Sequence, residues 1–315
     1  MKKKIALIGL GKIGLMYDLE RSNSYILTYA KAIHKSKNIK FVGAVDIDKK
    51  KRLLFEKKYK ITAFKSLSEL FLNSSPDILI ISTPTKTHLN IIKQLIKYNL
   101  KLIVICEKPI TESYEKIKII EKIIMGKNIK LYTNYMRLAD PKTKLIKEYI
   151  KKYNNSNFFC EVFYNGTVLN NCSHYISLIT NIFGKKYKIN VLNKKKDLID
   201  FKLTYKNSEV FFYSSTMRKI NYENIKIVNN KAIFSYKNGG VDLIKEKSVK
   251  NPIYGSGNHY IFSKSYKDNF YKQSQKFTVD QIFNLFSFNN NKLIANLDHA
   301  KQVHYIIKKI YEKKK

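Results

Sequence analysis

Three glycines follow the first apolar run of the chain at the spacing G-x-G-x-x-G, as Gly9, Gly11 and Gly14. Gly9 permits a sharp turn, Gly11 removes a Cβ so that the backbone can approach a pyrophosphate, and Gly14 lets the next helix pack close to the strand. Phosphate is favoured at the start of such a helix, where N–H groups lack partners and the dipole is positive. The pattern predicts a dinucleotide site formed by Gly9, Gly11, Lys12, Ile13 and Gly14. An ordinary turn between a strand and a helix is the alternative.

Asp46 is the residue expected to choose between NAD and NADP. It directly follows a short buried strand predicted over residues 41–45. A carboxylate at the end of the second strand accepts hydrogen bonds from the adenosine ribose, and its charge repels a 2′-phosphate. Asp46 therefore favours NAD as the cofactor, with NADP left open. A turn residue is the alternative role, because Asp48 and Lys49 follow at once.

Alternating strands and helices must position these side chains. Predicted strands are the run before Gly9 and residues 41–45, 78–82, 102–106 and 130–134, and predicted helices cover 26–34, 49–58, 88–98 and 112–125, with a short helix after Ser66. Such alternation predicts right-handed βαβ units in a doubly wound parallel sheet. Ligands of these sheets lie beyond the carboxyl ends of the strands. The candidate residues therefore follow the strands: Asp46, Thr83, Pro84, Glu107, Lys108, Asn134 and Arg137.

Three motifs after the glycines resemble the successive signatures of the glucose-fructose oxidoreductase, inositol dehydrogenase and rhizopine-catabolism (Gfo/Idh/MocA) family. They are Ile81-Ser82-Thr83-Pro84 with His88, then Cys106-Glu107-Lys108-Pro109, then Asn134-Tyr135-Met136-Arg137 before Pro141. The resemblance covers the N-terminal half firmly and the rest more loosely. It implies an NAD(P)-dependent oxidoreductase acting on a sugar or related polyol. The resemblance also implies that Lys108 lies by the nicotinamide and the reacting carbon. The further residues expected to contact the cofactor are Thr83, Pro84, His88 and Glu107.

Lys108 has the chemistry that hydride removal from a carbinol requires. The hydroxyl proton is taken as hydride leaves, and an ammonium group beside the oxygen stabilises the developing alkoxide. Lys108 lies at the carboxyl end of a predicted strand and precedes a rigid proline. Its position rather than its type singles it out, because lysines are abundant in this chain.

His174 is the candidate general base. Residues 166–184 resemble the family's active-site helix, in which an acidic residue commonly precedes the catalytic histidine by four positions and another often follows by three. Asn170 and Ser177 stand there instead, and an amide can orient an imidazole but cannot stabilise imidazolium by charge. We therefore expect a weaker base than the family norm, with Asn170 as its catalytic partner. A histidine on a helix surface is the alternative. The candidates to hold a sugar, or a phosphate on it, are Asn134, Arg137 and Asn171.

Beyond Pro141 the pattern changes to a succession of β-rich runs. They cover residues 158–164, 201–205, 210–214, 225–228 and 232–236, and a helical pattern over 297–311 closes the chain. The succession predicts a largely antiparallel sheet. We expect an NAD(P)-binding Rossmann domain over residues 1–140 and an α/β substrate and oligomerisation domain over residues 141–315. The resemblance implies that the second sheet often lies in a subunit interface, so a homo-oligomer is expected.

The formal net charge of +36 raises nucleic acid or an anionic membrane as a partner. Only four of the 60 cationic residues are arginines, and the lysines are scattered as doublets and triplets. Because the arginine guanidinium binds phosphates in a bidentate manner and the lysine ammonium does not, we expect no nucleic-acid partner. No apolar run approaches the roughly 18 residues of a membrane span, so no membrane partner is expected. The positive field would still steer anionic substrates inward.

Three cysteines, Cys106, Cys160 and Cys172, show no C-x-x-C spacing and are odd in number. This fits reduced thiols in the cytoplasm, and no metal is expected.

The sequence predicts an oxidoreductase that transfers hydride between NAD(P) and a carbinol or carbonyl of a sugar, sugar phosphate or nucleotide sugar. The Asn171-Cys172-Ser173-His174 segment resembles family members in bacterial surface polysaccharide biosynthesis. The alternatives are a non-catalytic nucleotide-binding sensor or complex subunit on the same fold, and an imine or bilin reductase.

Overall fold

A computed structural model describes residues 2–19, 24–196, 198–215, 222–251, 257–287 and 295–313. The chain divides into two compact units. The first unit comprises residues 1–139 and 272–301, and the second unit comprises residues 140–271 and 302–315. The predicted assignment of residues 1–140 to the cofactor and of residues 141–315 to substrate and assembly concerns function, so it stays a prediction.

Fifteen strands and nine α-helices are present in the described ranges. The strands are β1 (Lys3–Ile8), β2 (Ile39–Val45), β3 (Ala63–Phe64), β4 (Ile78–Ile81), β5 (Leu102–Glu107), β6 (Ile129–Asn134), β7 (Phe158–Tyr164), β8 (Lys188–Lys195), β9 (Leu198–Thr204), β10 (Ser208–Ser214), β11 (Asn224–Val228), β12 (Ala232–Lys237), β13 (Asp242–Lys250), β14 (Asn258–Lys267) and β15 (Ala295–Asn296). The helices are α1 (Tyr29–Lys35), α2 (Lys49–Tyr59), α3 (Leu67–Asn73), α4 (Thr85–Leu95), α5 (Tyr114–Ile124), α6 (Pro141–Lys152), α7 (Ser173–Phe183), α8 (Ser274–Ser287) and α9 (Leu297–Glu312).

The first unit is built on a seven-stranded sheet in the order β15-β6-β5-β4-β1-β2-β3. Its strands pair in parallel except β15, which is antiparallel to β6. The apolar runs of β1 and β4 are fully buried because helices cover both faces of a parallel sheet. The predicted doubly wound parallel sheet is confirmed.

Helix starts in the first unit follow their capping residues. Ser66 accepts a hydrogen bond from the Glu69 N–H at 3.2 Å, as the capping-box pattern predicts for α3. Asp48 caps α2 by accepting from the N–H groups of Lys50 and Lys51.

The segment after the glycine turn differs from the sequence-based expectation. Residues 12–15 form turns and Met16–Asp18 a 3-10 helix, and α1 begins only at Tyr29 rather than at residue 26. The buried carboxylate of Asp18 explains the delay. Its Oδ2 accepts the Leu27 N–H at 2.8 Å and the Thr28 N–H at 2.7 Å, so it fixes the entry into α1.

The chain returns to the first unit near its end, which the sequence analysis did not predict. The carbonyl of Lys272 accepts the Ile26 N–H at 2.8 Å, and Val279 of α8 is part of the first unit's buried core. Strand β15 then pairs with β6 through Ala295 and Thr133. Residues 297–301 of α9 belong to the first unit and residues 302–312 to the second.

The second unit contains an eight-stranded sheet in the order β14-β13-β12-β11-β7-β10-β9-β8. All neighbours are antiparallel except β7 and β10, so the predicted largely antiparallel sheet is confirmed. Along β7, Phe158, Cys160 and Val162 are buried, while Phe159 is 42% exposed. This alternation marks one covered and one open face. Within the described ranges, no helix is both long and apolar enough to span a membrane.

Candidate active site

The glycine turn has the shape that a close backbone approach requires. Gly9 has a φ of +97°, and a Cβ on Gly14 would lie 2.2 Å from the Gly9 carbonyl oxygen. Both positions therefore exclude larger residues. A Cβ on Gly11 would meet no described atom within 4 Å, so the space beside Gly11 is open. These features fit the predicted dinucleotide turn.

The N–H groups of the turn itself are the anion donors that this geometry offers. The first amides of α1 are occupied, because the Tyr29 N–H donates to the Ile13 carbonyl and the Ala30 N–H to the Gly14 carbonyl, both at 3.0 Å. Among the described residues, the N–H groups of residues 11–14 make no backbone hydrogen bond. Residues 11–14 themselves open a helical turn, because the Leu15 N–H donates to the Gly11 carbonyl at 2.9 Å. The expected pyrophosphate position at a helix N-terminus stays a prediction, with residues 11–14 as the donors.

Asp46 lies at the end of β2, beside the glycine turn. Its Oδ2 accepts the Leu10 N–H at 2.7 Å and its Oδ1 accepts the Asp48 N–H at 2.9 Å. Arg52 donates to the Asp46 backbone carbonyl at 2.8 Å. The carboxylate is thus held next to the turn, where the remaining lone pairs can accept ribose hydroxyls. Its role in cofactor choice stays a prediction.

His88 connects the segments that follow β4 and β5. It is buried, its Nε2 lies 2.8 Å from the Thr83 carbonyl oxygen, and its Nδ1 lies 3.3 Å from the Ile110 carbonyl oxygen. The Thr83 hydroxyl also accepts a hydrogen bond from Thr87, at 2.7 Å. His88 is therefore placed to orient the Thr83-Pro84 and Lys108-Pro109 segments, and direct contact with cofactor stays a prediction.

Lys108 follows β5 directly, and its peptide bond to Pro109 is cis. The preceding residue, Glu107, is 9% exposed, and its Oε2 accepts the Lys108 N–H at 3.3 Å. Cys106 beside it is fully buried, and burial raises the pKa of its thiol. A protonated thiol is a poor nucleophile, which leaves Glu107 and Lys108 as the reactive groups of this strand end.

Asn134, at the end of β6, is buried against Glu107. Its Nδ2 donates to Glu107 Oε1 at 2.8 Å and to the Tyr29 hydroxyl at 2.5 Å. Gln275 and Thr278 of α8 lie at 3.4 Å from the Asn134 amide. Its predicted contact with substrate is untested, and the structure adds a role in holding Glu107. Arg137, the second predicted substrate ligand of this segment, is buried in the 3-10 helix Met136–Ala139.

The second unit carries the other predicted residues. His174 is 8% exposed at the start of α7, and the π-helical turn Val168–Cys172 leads into it. Thr167 caps this turn by accepting the Asn170 N–H at 3.3 Å, and the Ser173 hydroxyl donates to the Asn170 carbonyl. Asn170 is exposed, and the Asn171 side chain lies against Gly166. Asn170 and Asn171 thus stand beside His174 in the chain, and π-helical turns are frequent at functional sites.

The family comparison matches residues 3–135 to the model GFO_IDH_MocA, described as oxidoreductase family, NAD-binding Rossmann fold. Over residues 3–135 the chain is similar to the Gfo/Idh/MocA family. The resemblance given by the three motifs is thereby confirmed, together with the oxidoreductase class and the NAD cofactor.

Solved structures share the fold of this chain over nearly its whole length. The MviM dehydrogenase of Clostridium difficile is 20% identical, with a TM-score of 0.75 and 99% of each chain covered. The WlbA dehydrogenase of Bordetella pertussis, solved with NADH and UDP-GlcNAcA, is 16% identical, with a TM-score of 0.74 and 98% and 94% covered. UDP-N-acetylglucosamine 3-dehydrogenase GnnA of Acidithiobacillus ferrooxidans is 12% identical, with a TM-score of 0.75 and 98% and 97% covered. No curated protein sequence matches the chain.

Several residues around the Gfo/Idh/MocA motifs were not predicted from the sequence. Tyr29 and Gln275 contact the Glu107–Asn134 pair, and Asp18 holds the start of α1. In the second unit, the buried Glu223 accepts a hydrogen bond from Tyr175 at 2.9 Å. Of these residues, only Asp18 had a sequence signal, as an acid eleven positions before Tyr29, the first residue of α1. Among the described residues, no cluster of His, Cys, Asp or Glu could hold a metal ion.

Proposed function

We propose that this chain transfers hydride between NAD and a carbinol or carbonyl carbon of a nucleotide sugar. The observation that carries the proposal is the open, amide-lined turn at Gly11 on the same sheet edge as Glu107 and Lys108. Two structures of the same fold are described with UDP-sugars as ligand or substrate. The excess of lysines adds a positive field that would attract such anionic substrates.

The bound cofactor would supply the hydride acceptor, and Gly11, Lys12, Ile13 and Gly14 would hold its pyrophosphate. The Lys108 ammonium would lie beside the reacting oxygen and stabilise negative charge on it as hydride leaves. His174 would take the hydroxyl proton, or return it in the reverse direction.

The substrate would be held by amide and guanidinium groups. Asn170 and Asn171 would orient sugar hydroxyls and the imidazole of His174, and Arg137 and Asn134 are proposed to hold the sugar or its phosphate. Because Asn170 cannot stabilise imidazolium by charge, we expect turnover to depend on Lys108 more than on His174.

Lys108→Met tests this mechanism against Lys118→Met, which removes an exposed lysine from α5. With a panel of UDP-sugars, sugar phosphates and free polyols, we expect Lys108→Met to lower kcat at least 100-fold while Lys118→Met stays within about twofold. Equal kcat values in both variants would contradict the role of Lys108. Binding of NAD without turnover on any substrate would favour a sensor or complex subunit instead.

A homodimer through the open face of the second-unit sheet is part of the proposal. Aromatic rings cover this face. The ring centroids of Phe159 and Phe211 are 5.2 Å apart, and those of Phe163 and Tyr213 are 5.4 Å apart. Glu161 of β7 is in register with Lys226 of β11. A face with apolar rings and both charge signs can complement itself across a two-fold axis. Light scattering measures the molar mass in solution, and we expect a dimer for the wild type and a monomer for Phe159→Asp.

The cytoplasm is the proposed compartment, because the three cysteines are buried free thiols. Nucleotide sugars are activated precursors of glycans, so bacterial surface polysaccharide biosynthesis is the proposed setting.

A further inference from the structure

Tyr29 joins the two parts of the candidate cofactor site. Its backbone N–H donates to the Ile13 carbonyl of the glycine turn at 3.0 Å. Its hydroxyl donates to Glu107 Oε1 at 2.6 Å, 78 positions later in the chain. One fully buried residue at the first position of α1 therefore bonds to the turn and to the strand end that carries Lys108.

The hydroxyl of Tyr29 belongs to a closed group of hydrogen bonds. Asn134 Nδ2 donates both to this hydroxyl and to Glu107 Oε1, so the three atoms form a triangle. Gln275 and Thr278 fix the orientation of the Asn134 amide, because one faces its nitrogen and the other its oxygen. Glu107 Oε1 thus receives two donors from the protein interior.

The second carboxylate oxygen of Glu107 is left with acceptor capacity. Among the described residues, Oε2 accepts only the Lys108 N–H, at 3.3 Å, which is a long hydrogen bond. The two donors on Oε1 fix the orientation of the Glu107 carboxyl group. An oriented acceptor oxygen at the carboxyl end of β5 suits a hydroxyl or amide donor of the cofactor.

We propose that Tyr29 is a positioning residue that holds the Glu107 carboxyl group aimed at the nicotinamide half of the cofactor. This role rests on the proposed function. Tyr29 also links the pyrophosphate turn to the Glu107-Lys108 strand end, because its N–H bonds to Ile13 and its hydroxyl bonds to Glu107.

Few other titratable groups face Glu107 from the described elements. They are Tyr29 on α1, Cys106 of the same strand and Lys108 after it, whereas Asn134, Gln275 and Thr278 do not titrate. Burial and the Glu107 charge raise the pKa of Tyr29 well above its usual value, so the hydroxyl remains a donor across the accessible pH range.

Tyr29→Phe removes the hydroxyl and keeps the ring. Tyr59→Phe is the matched control, because Tyr59 is a buried tyrosine of the first unit whose hydroxyl has no hydrogen-bond partner among the described residues. By calorimetric titration we expect Tyr29→Phe to bind NADH about tenfold more weakly, and Tyr59→Phe to bind like the wild type. In a Glu107→Gln background, the Tyr29→Phe change should alter the NADH Kd less than twofold, because both changes act through one carboxylate.

A second readout does not depend on cofactor. The Tyr29 hydroxyl donates to Glu107 Oε1, so Tyr29→Phe should lower Tm in the wild-type background and change Tm much less in the Glu107→Gln background. The Tm difference caused by Tyr59→Phe should be the same in both backgrounds. An additive NADH effect in the Glu107→Gln background, or a Tm deficit of Tyr29→Phe that is the same in both backgrounds, would overturn the proposal. If the wild type binds no NADH, the proposed function fails, and the Tm comparison still decides whether Tyr29 holds Glu107.

Discussion

At the scale of residues, the three glycines have different requirements. Gly14 packs against the Gly9 carbonyl, whereas Gly11 borders open space. Gly14 is thus needed by the fold, and Gly11 is proposed to be needed by the ligand. The spacing in the sequence predicted the close packing at Gly14, because the motif encodes it in its geometry.

Gly11→Ala and Gly14→Ala separate these roles. Gly11 does not have a positive φ, so alanine fits its backbone conformation. We expect Gly11→Ala to change Tm by less than about 1 °C and to lower the affinity for NAD at least tenfold. Gly14→Ala places a Cβ 2.2 Å from a carbonyl oxygen, and relief of this overlap costs about 1–3 kcal/mol, which lowers Tm by several degrees. Thermal unfolding and calorimetry measure both effects. Unchanged NAD binding in Gly11→Ala would argue against a pyrophosphate at this turn.

Residue contacts that span the chain could not be read from the sequence. Tyr29, Asn134 and Gln275 meet over separations of 105 and 141 positions, and no local pattern marks such a meeting. The positions of Lys108 and Asp46 were predicted because the residues that follow parallel strands lie at one edge of the sheet.

At the scale of elements, hydrophobic patterning predicted the parallel sheet, since β1, β4 and β5 are short apolar runs. The pattern missed α8, whose return to the first unit depends on tertiary contacts such as that of Val279. It also placed the helix after the glycine turn too early, because the Asp18 bonds that delay α1 are not periodic.

Helix α9 contains a pH-sensitive position, His304. It is buried in the second unit, its Nε2 has no hydrogen-bond partner within the described residues, and burial lowers its pKa to about 4. An unfolded histidine has a pKa of about 6.5. Between these values the unfolded chain binds a proton that the folded chain does not, so stability falls as pH falls, by up to about 1.4 kcal/mol per pH unit.

His304→Leu should therefore flatten the acid side of the stability curve. We expect the drop in Tm between pH 7 and pH 5 to be smaller in His304→Leu than in the wild type. His34→Gln, which changes an exposed histidine of α1, should leave the drop as it is. An identical pH response in all three proteins would show that His304 is not buried as a neutral side chain.

At the scale of the whole molecule, two compact units divide the proposed work. The first unit holds Lys108 with the glycine turn, and the second holds His174 with the π-helical turn. The net charge of +36 acts on both, and it favours anionic substrates such as nucleotide sugars over neutral polyols. Because salt screens this attraction, we expect substrate binding to weaken as the ionic strength rises.

Calorimetric titration of the wild-type protein with NAD, NADH, NADP and NADPH is the most direct test of the central claim. The open turn at Gly11 and the Asp46 carboxylate predict tight binding of NAD and NADH, and binding of NADP and NADPH that is at least tenfold weaker. Binding of none of the four would contradict the account, because the glycine turn would then be a turn without a ligand.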